Sequence, residues 1–184
     1  AKSASARSVS PVAFPIRRHR MAQLYFYYSA MNAGKSTTLY MITRLVRPTA
    51  GSIRVFGRDV RQDPVLAMKH VGALVETPAF YGYLSGRTNL ELVARIHGVR
   101  DRHTVETMLA QVGLAARQHD RVQTYSQGMK QRLGLGAALL GSPKLLLLDE
   151  PTNGLDPEAM GEILDLVRSK AREEGLAVFI SSHL

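Results

Sequence analysis

Leu145-Leu146-Leu147-Leu148-Asp149-Glu150-Pro151-Thr152 is an unbroken apolar run that ends in two adjacent carboxylates and a proline. Four consecutive leucines without polar alternation suit a strand buried on both faces, as in a parallel sheet covered by helices. Two acids at the carboxyl end of such a strand stand where α/β folds place their chemistry. Asp149 is suited to hold Mg²⁺ through water, and Glu150 to orient or deprotonate an attacking water.

Upstream, Ala33-Gly34-Lys35-Ser36-Thr37 reads as a phosphate-binding loop. It lies between an aromatic strand candidate, Leu24–Tyr28, and a helix expected over Lys35–Val46, the context a phosphate-binding loop requires. Backbone N–H groups at the helix start face phosphate oxygens, and the helix dipole adds partial positive charge. Lys35 reaches the β- and γ-phosphates, and the Ser36 hydroxyl ligates Mg²⁺. The glycine usual at the start of such a loop is replaced by Ser29.

Working outward, strand and helix signals alternate. Ser52–Phe56, Val71–Val75 and Val178–Ile180 read as strands. Thr88 with Glu91 reads as a capping box that opens a helix ending near His97–Gly98. Thr104–Val112 is a further helix, and Ser126 caps another from Gln127 to Leu140. Met160, Ile163, Leu164, Val167 and Ala171 form the apolar stripe of a helix that Gly175 ends. The expected fold is α/β, a P-loop NTPase with a mostly parallel sheet flanked by helices.

Composition bounds the alternatives. The 184 residues are 45% hydrophobic and contain no cysteine, which excludes disulfides, zinc ribbons and thiol nucleophiles. No apolar run approaches the roughly 18 residues of a membrane helix. The net charge of +9 is uneven: Lys2, Arg7, Arg17, Arg18 and Arg20 stand in the first twenty residues, where there is no acid. More than half of the excess therefore belongs to residues 1–20, expected to be a disordered basic leader. No nucleic-acid partner is expected from the rest of the chain.

Two resemblances follow from these motifs. Met21–Thr37, MAQLYFYYSAMNAGKST, resembles the first strand and phosphate loop of bacterial thymidine kinases. Those kinases use a cysteine-ligated zinc, so a chain without cysteine is not expected to be one. From Thr38 to Leu184 the chain resembles the ATP-binding subunit of ABC transporters, on four motifs in family order: Tyr125-Ser126-Gln127-Gly128-Met129-Lys130-Gln131-Arg132, then Leu145–Thr152, then Asn153-Gly154-Leu155-Asp156, then Phe179-Ile180-Ser181-Ser182-His183.

That resemblance implies ATP and Mg²⁺ as cofactors. It implies Asn32, Ala33, Gly34, Lys35, Ser36 and Thr37 on the nucleotide, and Ser36, Glu76 and Asp149 on the metal. Glu150 and His183 are implied as catalytic, the histidine as a γ-phosphate sensor. Ser126, Gln127, Gly128 and Asp156 are implied to serve a nucleotide shared with a second ATP-binding subunit in a homodimer. A separate membrane-spanning permease is the further partner, with the subunit cytoplasmic and peripheral on the inner face of a bacterial membrane. Glu76, where glutamine is common, resembles the bacitracin- and lantibiotic-resistance exporters.

The expected organisation is a cassette domain over residues 21–184, with a helical subdomain carrying the signature at roughly 85–140. It lacks the opening strands with an adenine-stacking aromatic, and the chain stops one residue after His183, so an incomplete cassette is expected. Two other readings stay open: a catalytically impaired nucleotide-binding fragment or interaction module, and a nucleic-acid-binding protein.

Overall fold

The computed structural model describes residues 35–75, 78–151 and 155–181, with the backbone alone at Lys35. The expected strand Leu24–Tyr28, the leader and the segment resembling thymidine kinase lie outside the described residues.

Three strands form the central sheet: β3 (Val71–Leu74), β4 (Leu145–Asp149) and β5 (Ala177–Ser181). They pair in parallel in the order β3-β4-β5, with Leu148 opposite both Leu74 and Ile180 and Asp149 opposite Ser181. The central strand is the four-leucine run, and Leu146, Leu147 and Leu148 are fully buried. Burial on both faces explains the absence of polar alternation there.

Helices cover this sheet. The helix α1 (Lys35–Ile42) contacts the ends of β4 and β5, α5 (Gln127–Leu139) lies along β3, and α6 (Pro157–Glu174) packs against β5. Gly72 makes the α5 packing possible. A Cβ added there would stand 2.1 Å from the carbonyl oxygen of Ala138, so only glycine lets the helix backbone come this close.

Between β3 and α5 the chain builds a helical unit from α3 (Gly86–Ile96) and α4 (Arg102–Gln111), followed by short turns at Ala115–Arg117 and Val122–Thr124. Its buried side chains include Leu90, Leu109 and Leu114, continuous with the core around β4. Arg87 ties the unit together on its polar side. Its guanidinium donates to Glu91 at 3.0 Å, to Glu106 of α4 at 2.8 Å and to the Gln118 side-chain oxygen at 3.1 Å.

The structure corrects several local expectations. Helix α1 ends at Ile42, not Val46: Thr43 turns its hydroxyl back onto the Leu39 carbonyl at 2.8 Å, and Arg44 adopts a φ of 65°. Ser85, not Thr88, caps α3; its hydroxyl accepts the Thr88 N–H at 3.1 Å, while Glu91 pairs with Arg87. The expected strand Ser52–Phe56 is a small antiparallel hairpin, β1 (Arg54–Val55) with β2 (Arg58–Asp59), outside the parallel sheet. A short helix α2 (Pro64–Met68) follows it and buries Ala67 against Val55 and Val60.

Candidate nucleotide site

The first turn of α1 delivers Ser36 to the carboxyl ends of β4 and β5. Its hydroxyl donates to Asp149 Oδ1 at 2.8 Å and lies 3.2 Å from the Ser181 hydroxyl. Asp149 is 7% exposed and Ser181 2% exposed, so this polar cluster is closed off from bulk water. Asp149 and Ser181 are register partners across β4 and β5, which puts both side chains on the face that α1 covers.

Immediately after Asp149 the backbone leaves the strand. Glu150 takes a φ of 46°, a left-handed conformation that costs a glutamate about 1–3 kcal/mol. Its N–H is held by the Ser181 carbonyl oxygen at 3.0 Å. The same φ range is taken by Arg44, Phe56 and Ser142, which lie in turns away from the strand end.

A second group forms where α5 and α6 begin. Ser126 caps α5, its hydroxyl accepting the Met129 N–H at 3.2 Å, and Asp156 caps α6 by accepting the Ala159 N–H at 2.9 Å. The Ala159 amide, aided by the amides of Asp156 and Glu158 and by the charge of Arg132 and opposed by some desolvation, holds the Asp156 carboxyl below the usual carboxylate range. Gly128 packs against Leu155, the neighbour of Asp156: a Cβ there would stand 3.1 Å from the Leu155 side chain. Arg132 then bridges to Glu162 of α6 at 2.6 Å. Ser126, Gln127 and Asp156 are exposed, in contrast to the buried Ser36 partners. Tyr125 anchors this loop from below, donating its hydroxyl to the Arg117 carbonyl at 2.7 Å. Burial there pushes its phenol pKa up.

Of the residues singled out in the sequence, Ser36, Asp149 and Glu150 are thus brought together, and Ser126, Gln127, Gly128 and Asp156 gather in the second group. Thr37 is exposed on the first turn of α1. Asn32, Ala33, Gly34, Glu76 and His183, and the side chain of Lys35, lie outside the described residues. Ser181, read in the sequence only as a member of the Phe179–His183 motif, is brought beside Ser36 by the pairing of β4 with β5.

The donor set suits Mg²⁺. A hydroxyl and a carboxylate are hard oxygen ligands, and Mg²⁺ takes one or two carboxylates together with substrate phosphates. Among the described residues no group of three His, Cys, Asp or Glu side chains offers a self-sufficient metal site.

Comparison with known proteins agrees with this geometry. The ABC transporter family model matches residues 32–153. The bacitracin transport ATP-binding protein BcrA of Bacillus licheniformis is 40% identical over 165 residues, 90% of this chain and 54% of its own length. The lantibiotic transport ATP-binding protein SrtF of Streptococcus pyogenes is 40% identical over 163 residues, 88% of this chain and 69% of its own. The chain thus spans little more than half the length of the bacitracin relative. Among solved structures, a dimeric ATP-binding cassette in a post-hydrolysis state bound to ADP and Pi superposes with a TM-score of 0.73 at 25% identity, covering 82% of this chain and 70% of that one. With its α/β fold, its Ser36–Asp149 pair and these relatives, the chain belongs to the ABC transporter ATP-binding family.

Proposed function

We propose that this chain binds and hydrolyses ATP as the nucleotide-binding subunit of an exporter of the bacitracin and lantibiotic type. The observation that carries the proposal is the Ser36–Asp149 hydrogen bond at 2.8 Å, which joins the phosphate loop helix to the acidic strand end. The relatives named for bacitracin and lantibiotic transport support the export reading.

In this reading Asn32–Thr37 cradle the triphosphate, with Lys35 on the β- and γ-phosphates. Ser36 and Asp149, with Glu76, hold Mg²⁺, which when bound neutralises charge developing on the β- and γ-phosphates. Glu150 takes a proton from the attacking water as oxygen adds to the γ-phosphorus and the bond to the ADP oxygen breaks. His183 contacts the γ-phosphate. The low-dielectric setting of Asp149 strengthens its attraction for a bound cation relative to water.

The exposed pair of helix starts, Ser126–Gly128 and Asp156, is proposed to face the nucleotide of a second copy, giving a two-fold dimer with two shared sites. The dimeric ADP- and Pi-bound cassette supports that arrangement. The likeness to transport ATP-binding proteins supports a separate permease as the membrane path, with this subunit peripheral on its inner face. No helix among the described residues is long and apolar enough to cross a membrane.

Mixing two inactive variants tests the shared site. Lys35→Ala and Ser126→Arg homodimers are each expected to be inactive. Each mixed dimer contains one site with both residues intact and is expected to release phosphate at up to about half of the wild-type rate, so a randomly paired equal mixture recovers about a quarter. Full activity from a strictly monomeric wild-type protein contradicts the proposal.

A further inference from the structure

Ser181 touches both halves of the chemistry. Its hydroxyl lies 3.2 Å from the Ser36 hydroxyl, and its carbonyl oxygen accepts the Glu150 N–H at 3.0 Å. A serine hydroxyl has one proton and two lone pairs. The Ser36 proton is given to Asp149, so the proton in the Ser36–Ser181 contact comes from Ser181. The hydroxyls therefore run in one direction, from Ser181 to Ser36 to the Asp149 carboxylate. One lone pair of Ser36 accepts from Ser181, and the other is left for a cation.

Resting on the nucleotide-site reading above, we propose that Ser181 is a positioning residue for the metal side of the site, its hydroxyl orienting Ser36 so that the remaining lone pair of Ser36 is kept for Mg²⁺. The strand register makes this possible. Ser181 is fixed opposite Asp149 by the β4–β5 ladder and is 2% exposed, so its hydroxyl has no competing bulk water. Ser36 by itself can rotate about its χ1 bond. With a partner on each side it is held in a single rotamer, and the cost of ordering it is met before the metal arrives.

The carbonyl bond to Glu150 belongs to the backbone and survives side-chain substitution, so the hydroxyl can be removed alone. S181A does this, and S181T keeps a hydroxyl with a β-branched side chain that a strand accepts. Binding of a fluorescent ATP analogue to the full chain is measured in EDTA and across a Mg²⁺ titration. S181A is expected to change the metal-free affinity by less than twofold and to raise the Mg²⁺ concentration at half effect about fivefold, the size of one lost hydrogen bond. S181T is expected to return that midpoint to within about twofold of wild type.

A second measurement needs no nucleotide. Urea unfolding midpoints of S36A, S181A and the double variant are expected to be non-additive, the double variant shifting by less than the sum of the two singles. Additive midpoints overturn the hydroxyl chain, and an unchanged Mg²⁺ midpoint in S181A overturns its positioning role. A wild-type chain that binds the analogue in neither condition overturns instead the nucleotide-site reading on which the proposal rests.

Discussion

Ser36 and Asp149, 113 residues apart in the chain, share a hydrogen bond of 2.8 Å at the junction of α1 and β4. This contact binds a helix start, which favours anions, to a buried carboxylate, which favours cations. A Mg²⁺–triphosphate carries both kinds of charge. The pairing thereby brings the two motifs of the proposed site, far apart in the chain, into contact.

Asp149→Asn keeps the size of the side chain and an oxygen that can accept from Ser36, and removes only the negative charge. Nucleotide binding in EDTA is expected to persist. The gain in affinity on adding Mg²⁺ is expected to fall at least about tenfold. Parallel titrations with and without the metal check this.

Gly72→Ala tests how the sheet and α5 are joined. The new methyl would lie 2.1 Å from the Ala138 carbonyl oxygen and 3.1 Å from the Pro143 ring. Neither is the far end of a flexible side chain, so β3 and α5 must separate. A loss of about 3 kcal/mol or more in urea-unfolding stability is expected.

Asp156 gives the α6 start a pH dependence of known sign. Its carboxyl pKa is lowered in the folded chain relative to an ordinary value of 3.8. The folded state is therefore favoured above that ordinary value, and the advantage is lost as pH falls through the lower folded pKa. Asp156→Asn retains a helix-capping oxygen but does not titrate. Wild type is expected to exceed this variant in stability at neutral pH, with the difference closing as the solution is acidified below about pH 4. Added salt is expected to narrow it, because the group is exposed.

What the sequence made legible and what it hid have physical causes. The four leucines form the buried strand that their short, unbroken apolar run suited, and Asp149 and Ser126 stand at strand end and helix start as their flanking patterns imply. The β1–β2 hairpin was hidden because its turn is Phe56-Gly57, both with positive φ, where asparagine or aspartate usually announces the first position. Helix α2 has five residues, too few to display a 3.6-residue period. The Thr88–Glu91 spacing matched a capping box, but Ser85 lies three residues earlier and offers its oxygen to the same turn. Ser181 stands in the last motif without a role of its own, because the role proposed for it depends on strand register, a property of two segments and not of either one alone.

The most direct test of the account is phosphate release by Glu150→Gln, measured beside ATP binding by the same preparation. The amide keeps the side-chain shape and the backbone bond to Ser181 but cannot take a proton from water. ATP affinity is expected to stay within about twofold of wild type while hydrolysis falls by roughly two orders of magnitude or more. Hydrolysis at the wild-type rate from this variant would contradict the assignment of Glu150 as the base, and with it the chemistry placed at the end of β4.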